Sequence, residues 1–179
     1  MRYATITDEE EKRLGEKTRA ERRIHKPGDS IITAVSVGTV FILIGAVFVL
    51  ALPANLWERI LDFFSDFGTR QVPGTSIYLP APMNPNIHTV VYSAAFQFCV
   101  GLAILQIITL SLRILFRSTV SRIAETMGNL VFWFGTAYMV LNFLNSSTGI
   151  TKWFAFWAGM LIIIGISLIA RALVMIARR

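Results

Sequence analysis

Charged residues are scarce in this sequence, and long stretches contain none. Only 16% of the 179 residues are Asp, Glu, Lys or Arg, whereas soluble domains usually carry about 25%. No formal charge occurs in residues 30–57, 71–112, 126–151 or 153–170. A soluble helical domain of this length would need far more charge on its surface. The pattern therefore predicts an all-α integral membrane protein.

Residues that commonly hold metals, haem or disulfides are also few. Cys99 is the single cysteine, which excludes a disulfide framework within the chain. The two histidines, His25 and His88, fall on opposite sides of the predicted membrane and could not share one metal or haem. Motifs of P-loop proteins, zinc proteases and serine hydrolases do not occur in the sequence. We therefore expect no cofactor, no metal site and no catalytic residue.

The apolar stretches predict a bundle of four transmembrane helices within residues 30–179. An α-helix rises ~1.5 Å per residue, so about 20 apolar residues cross the hydrocarbon core. The predicted spans cover residues 30–52, 88–112, 120–144 and 153–176. Asp29 or Ser30 is expected to cap the first span, and Pro53 to end it.

The distribution of basic residues predicts the orientation of the spans. Of the 17 Lys and Arg residues, all but Arg59, Arg70 and Lys152 fall in the tail, in the connection between spans two and three, or at the C-terminal end. Basic residues in short flanking segments favour the cytoplasmic side. We therefore expect both termini in the cytoplasm, which also requires an even number of spans.

The stretch "NLWERILDFFSDF" follows the first span and predicts an amphipathic helix over residues 56–67 on the outer side. Asn55 and Glu58 form a capping-box pattern at its start, and Gly68 is expected to end it. A wheel at ~100° per residue separates the apolar from the polar residues completely. The apolar face could lie in the lipid interface or contact protein; its members include Trp57, Ile60, Leu61, Phe63, Phe64 and Phe67.

Residues 68–87 predict an outer loop without a long helix, because Pro73, Pro80, Pro82 and Pro85 interrupt it. The "IYLPAPMNP" part should be extended and similar to polyproline II. Tyr78 and Leu79 could form a docking surface in this loop. The alternative is a connector that lies over the helix bundle.

Residues 1–29 predict a charged cytoplasmic helix, with a capping box at Thr7 and Glu10 and an end at Pro27. Its first half is acidic, which argues against nucleic-acid binding because it would repel phosphate. Its second half is basic and adjoins the membrane, where it could bind anionic lipid headgroups. Alternatively, the basic residues serve only as a topology signal; those proposed for lipid binding are Arg19, Arg22, Arg23 and Lys26.

Residues inside the spans predict helix packing rather than chemistry. Gly38 and Gly45, and likewise Gly128 and Gly135, are seven residues apart, which keeps each pair on one helix face and permits close approach. Gln97 and Gln106 fall on opposite sides of one helix, where each could hydrogen-bond across a helix interface. An oligomer could still assemble a polar path from Gln97, Thr136 and Asn142.

At the cytoplasmic edge of the third span, Arg122 and Glu125 are spaced for an ion pair. We expect this pair to fix the connection between spans two and three. A role in gating or catalysis is the alternative.

These features favour a non-catalytic multi-pass membrane protein. The most consistent function is a structural or accessory subunit, or a scaffold, of a membrane complex or homo-oligomer. Its partners would be membrane lipids and either other membrane-protein subunits or a second copy of the chain. The alternatives are an oligomeric channel or transporter for a small solute and, with less support, a lipid-acting membrane enzyme.

Overall fold

In the computed structural model, the chain is mostly helical. The structure describes Arg13 and residues 27–177. Arg13 is helical, but the rest of the predicted tail helix, including Arg19, Arg22, Arg23 and Lys26, lies outside the described residues. From residue 27 to residue 177, the helices of ten or more residues are α1 (Pro27–Ala51), α2 (Leu56–Ser65), α3 (Thr89–Leu115), α4 (Val120–Phe143) and α5 (Ile150–Ala177).

Within residues 27–177, three helical segments are long and apolar enough to cross a membrane, as expected for an integral membrane protein. They are Ile31–Ala54, Thr89–Leu115 and Ile150–Ala177. The remaining predicted span, the third in chain order, corresponds to α4, which has a suitable length of 24 residues but is less apolar because it contains polar residues such as Asn129, Thr136 and Asn142. In the fold, α4 packs against both α3 and α5, and α1 packs against α3. The more polar helix therefore lies between two apolar ones.

The ends of α1 follow from its two prolines. The helix begins at Pro27, three residues before the predicted start, because proline lacks an N–H that the first helical turn would leave unbonded anyway. At its other end, α1 stops at Ala51, and Pro53 lies in a 3-10 turn over Leu52–Ala54.

The expected capping box at the start of α2 is wrong. Asn55 adopts a left-handed conformation (φ 53°, ψ 51°), and its side chain makes no capping hydrogen bond. An N-cap residue normally has an extended backbone, whereas asparagine is one of the few residues that tolerate the left-handed region. The Asn55 N–H instead donates to the carbonyl of Leu52 at 3.0 Å and closes the preceding 3-10 turn.

Residues 67–82 form a β-hairpin that the all-α prediction omitted. Strand β1 (Phe67–Gln71) pairs antiparallel with β2 (Tyr78–Pro82), in a register that opposes Phe67 to Pro82 and Gln71 to Tyr78. The predicted helix end at Gly68 is therefore wrong, and α2 ends at Ser65. Extended residues suit both polyproline II and a strand. Proline is tolerated here because each strand of a two-stranded sheet is an edge.

The predicted glycine faces differ in their surroundings. A Cβ added to Gly128 would lie 3.1 Å from the carbonyl oxygen of Ser167, and one added to Gly135 would lie 2.9 Å from Cγ2 of Ile163. Both glycines thus bring α4 close to α5. By contrast, no described atom lies within 4 Å of such a Cβ at Gly38 or Gly45. Those two glycines of α1 face away from the rest of the described chain.

Replacing Gly128 with leucine should destabilise the protein by about 1–3 kcal/mol, because the added side chain meets backbone that cannot move aside. The same change at Gly38 should be close to neutral, because it meets open space. Reversible unfolding in mixed micelles, followed by circular dichroism, measures both. Equal decreases in the free energy of unfolding for G128L and G38L would contradict the packing described above.

Candidate functional site

The end of the bundle that carries α2 and the hairpin, the hairpin end, is where the polar and aromatic side chains converge. Helix α2 docks there through one stripe of its apolar face. Leu56 is buried and Ile60 packs beside it, next to Val47 of α1 and Ala94 of α3. Phe63, one turn further along α2, packs against the buried cluster formed by α3, α4 and α5.

The second stripe of the same helix points outward. Trp57 is 61% exposed, Leu61 52% and Phe64 66%. The apolar face of α2 is therefore shared between the interior of the protein and its surroundings. A helical wheel of the sequence could not show this division, because both stripes lie on the same apolar side of the helix.

Phe63 is the centre of an aromatic cluster beneath α2 and the hairpin. Its ring centroid lies 5.1 Å from that of Phe67 and 5.1 Å from that of His88. The rings of Tyr92 and Trp153 each lie 6.1 Å from it. Most of these pairs meet edge to face, the geometry that aromatic quadrupoles favour. The cluster joins α2, β1, α3 and α5.

Asp66, between α2 and β1, ties the hairpin to the start of α3. Its Oδ2 atom lies 2.9 Å from Nε2 of His88 and accepts the backbone N–H of Asn84 at 2.8 Å. Its Oδ1 atom accepts the Asn84 side-chain amide at 3.1 Å, and its carbonyl accepts the N–H of Met83 at 2.8 Å. One residue thus fixes both ends of the hairpin and the first turn of α3.

The carboxylate of Asp66 is held in its charged form. Burial raises its pKa, but the hydrogen bonds from His88 and Asn84 lower it, and the net pKa lies below the ordinary value of 3.8. The side chain of His88 is only 4% exposed. An Asp–His pair can orient an imidazole for acid–base chemistry, yet here the carboxylate is occupied by Asn84 and the imidazole is covered by Phe63. The geometry supports a structural clamp.

Two buried hydrogen-bond donors at this end have no partner within the described residues. They are the Tyr92 hydroxyl and the Trp153 indole N–H. Both residues are 3% exposed. Buried polar groups are nearly always hydrogen-bonded, so an unpaired one calls for an explanation.

On the hairpin, Tyr78 and Leu79 are exposed, at 62% and 44%. Their neighbours Ala81 and Pro82 are buried. The hairpin is therefore anchored at the end of β2 and leaves apolar side chains free nearer its turn.

Arg122 and Glu125 lie far from this cluster, at the opposite end of the bundle. Their side chains approach to 3.5 Å, and both are more than 40% exposed. An exposed pair of this kind contributes ~0–1 kcal/mol. The neighbouring Arg113, by contrast, is 9% exposed and donates to the carbonyl of Arg122 at 2.6 Å. Sequence reasoning missed this link between α3 and α4.

The polar residues predicted to bond across helices or to line a path differ in their exposure. Gln97 is exposed, Gln106 is half-buried and Thr136 is buried. Thr136 donates to the carbonyl of Phe132 at 2.8 Å, and Asn142 donates to that of Tyr138 at 2.8 Å. Each of these donors is thus bonded to its own helix.

The pairing of Asp66 with His88 was not foreseen from the sequence, where 21 residues separate them. The available signal was weak. Asp66 and His88 flank a proline-rich loop in which Arg70 is the single charged residue. No group of three or more His, Cys, Asp and Glu side chains that could hold a metal occurs among the described residues.

Comparison with protein-family models, curated proteins and solved structures finds no match to this chain.

Replacing Asp66 with asparagine should lower the free energy of unfolding by about 1.5–3 kcal/mol, the usual size of a hydrogen bond to a charged group. Asp62→Asn is the matched control, since Asp62 lies on the exposed face of α2 and should tolerate the change. Thermal unfolding in detergent compares the two. If Asp62→Asn lowers the unfolding temperature as much as Asp66→Asn does, the stability depends on the negative charge of this segment and not on the hydrogen bonds of Asp66.

The stabilisation from Asp66 should also depend on pH. Its folded pKa lies below the unfolded value near 3.8, so the carboxylate stabilises the fold above pH 3.8 and this contribution is lost as the pH falls through the folded pKa. We expect the difference in unfolding temperature between wild type and D66N to hold at pH 5 and to shrink as the pH is lowered through and below 3.8. A difference that grows on acidification would contradict this assignment.

Proposed function

We propose that this chain is a non-catalytic, four-span membrane protein with both termini in the cytoplasm. In this proposal it is a structural or accessory subunit, or a scaffold, of a membrane complex or homo-oligomer. The hairpin end faces the outer side, and the connection between α3 and α4 faces the cytoplasm.

The position of α4 between α3 and α5 supports a fourth crossing. Its 24 residues correspond to ~36 Å at ~1.5 Å per residue, enough for the hydrocarbon core. Its two neighbours, α3 and α5, are both candidate spans, so a helix packed between them shares their environment. Thr136 and Asn142 donate to carbonyl groups of α4 itself, which lowers the cost of placing their polar groups in hydrocarbon.

The observation that carries the proposed role is the exposed apolar surface of the hairpin. Ile77 is 58% exposed, Tyr78 62% and Leu79 44%, on a segment beyond the ends of the helices. Tyr78 and Leu79 point to opposite faces of the hairpin because successive strand residues alternate, so both of its faces carry exposed apolar side chains, and a concentration of such side chains is typical of a contact site. The Asp66 clamp holds this surface in one place, which reduces the ordering cost of binding.

The outward stripe of α2 extends this surface toward the membrane boundary. Trp57 favours the interfacial layer of a bilayer, as tryptophan generally does. Leu61 and Phe64 beside it could contact lipid or the same partner, and the experiment below separates these two cases. Against a channel, Thr136 and Asn142 already use their donors within α4.

Photo-crosslinking of the full chain in its native membrane tests this proposal. A photoreactive phenylalanine analogue replaces one residue at a time, at Tyr78, Leu79 or Trp57. The hairpin positions should give a protein adduct of defined mass, whereas Asp62 on the exposed polar face should give none. An adduct of twice the 20.0 kDa chain mass indicates a homo-oligomer, and another mass indicates a separate subunit. If the hairpin positions form adducts only with lipid, the proposal is wrong. If lipid adducts form at Trp57 but not at the hairpin, the outward stripe of α2 contacts the bilayer.

A further inference from the structure

The hydrogen-bond register of the hairpin determines which backbone groups its two edges present. At the base, the N–H of Met83 donates to the carbonyl of Asp66 at 2.8 Å, and near the turn the N–H of Val72 donates to that of Ile77 at 2.8 Å. Residue pairs of an antiparallel ladder exchange hydrogen bonds alternately. Because the strands pair residue by residue between these two bonds, every second residue of each strand turns its N–H and C=O groups away from the other strand.

On β1, the residues whose backbone groups point outward are Phe67, Thr69 and Gln71. All three are exposed, and their N–H and C=O groups form a row that the hairpin itself does not use. Within residues 27–177, the sheet consists of β1 and β2 alone, so no third described strand covers this row. The free edge of β1 is therefore a complete template for another extended segment.

On β2, the corresponding outward positions are Tyr78, Pro80 and Pro82. Proline has no N–H to donate, so Pro80 and Pro82 cannot donate to a further strand. Pro82 is also fully buried, which closes that end of the edge. Proline on an edge strand is a common means of preventing strand addition. The hairpin is thus open to strand addition along β1 and blocked along β2.

Arg70 gives the open edge a charge. It is the single charged residue of residues 68–87, it is exposed, and it does not take part in the two ion pairs found within residues 27–177. Its backbone groups point to β2, so a strand added to β1 would meet Arg70 at a non-hydrogen-bonded pair, where opposed side chains lie closest. Opposite charges at such a pair stabilise the two strands. An acid opposite Arg70 would therefore strengthen the pairing.

The same charge argues against a second copy of β1 as the added strand. In an antiparallel pair of two β1 strands that uses the outward groups, Thr69 opposes Thr69, and Arg70 opposes Gly68 of the other copy. The two Arg70 side chains would then lie on one face as diagonal neighbours, ~7–8 Å apart. They would repel each other, and β1 contains no acid to offset this repulsion.

We propose that an extended segment of a separate subunit, with an acidic residue opposite Arg70, adds to the free edge of β1 as a third strand. Backbone hydrogen bonds to Thr69 and Gln71 supply the attraction, and the acid opposite Arg70 fixes the register. This inference rests on the proposed function, in which a partner contacts the hairpin, and it states how that contact is made.

The test places the photoreactive phenylalanine analogue at Gln71, on the free edge, in the full chain in its native membrane. Gln71 should give the same protein adduct as Tyr78 and Leu79, with a mass other than twice that of the chain. Thr69→Pro should lower the yield of this adduct about tenfold or more, because it removes an outward N–H and leaves a carbonyl of the added strand unpaired. Pro80, which opposes Thr69, shows that the hairpin accepts proline at this register.

Thr69→Val is the matched control, since it keeps the backbone N–H and should retain the adduct. Arg70→Glu should lower the yield about two- to fivefold because it repels the acid of the added strand, whereas Arg70→Lys should retain most of it. The unfolding temperature in detergent should be the same for T69P and T69V, which shows that the hairpin and the Asp66 clamp remain folded. Because Arg70 is exposed, R70E provides a second test that does not alter the backbone.

An undiminished adduct in T69P or in R70E would overturn the strand addition and leave the proposed function intact. An adduct at Tyr78 or Leu79 but none at Gln71 would do the same. An adduct at Gln71 of twice the 20.0 kDa chain mass would overturn the inference in favour of pairing between copies. If no hairpin position yields a protein adduct, the proposed function itself is wrong, and this inference fails with it.

Discussion

The charge of Asp66 organises the hairpin end of this protein. Its carboxylate bonds His88 and Asn84, and its carbonyl bonds Met83. These contacts connect the end of α2, the base of the hairpin and the start of α3, which would otherwise be joined only by a loop rich in proline. Because the pair is mostly shielded from water, its bonds are less weakened by solvent than those of an exposed pair such as Arg122 and Glu125.

The aromatic cluster lies beside this clamp. Phe63 covers His88, and because α2 stops at Ser65 and the chain continues as β1, Phe67 lies against the Phe63 ring. Tyr92 and Trp153 complete the cluster from α3 and α5. These contacts join four elements at one end of the bundle, where the apolar side chains of the hairpin stay exposed and form the proposed protein contact.

The glycines show that equal spacing does not have equal consequences. Both pairs, in α1 and in α4, are seven residues apart and keep one helix face small. Gly128 and Gly135 meet α5 because their face of α4 is the one that packs on α5. Gly38 and Gly45 meet no described atom because α1 contacts α3 through its opposite face. The sequence spacing of the glycines identifies which helix face is small. Which helix packs against that face depends on how the helices are arranged.

By itself, the sequence determined the membrane class, the helical regions and the amphipathic character of α2, because these depend on local composition and on helical periodicity. Tertiary structure decided what the local pattern left open: the left-handed Asn55, the hairpin in place of a polyproline segment, and the division of the α2 apolar face. It also brought Asp66 to His88 across 21 intervening residues. The Pro73-Gly74 pair marks locally where the chain reverses direction, with Gly74 at φ 78°, but no local propensity encodes which distant residues that reversal brings together.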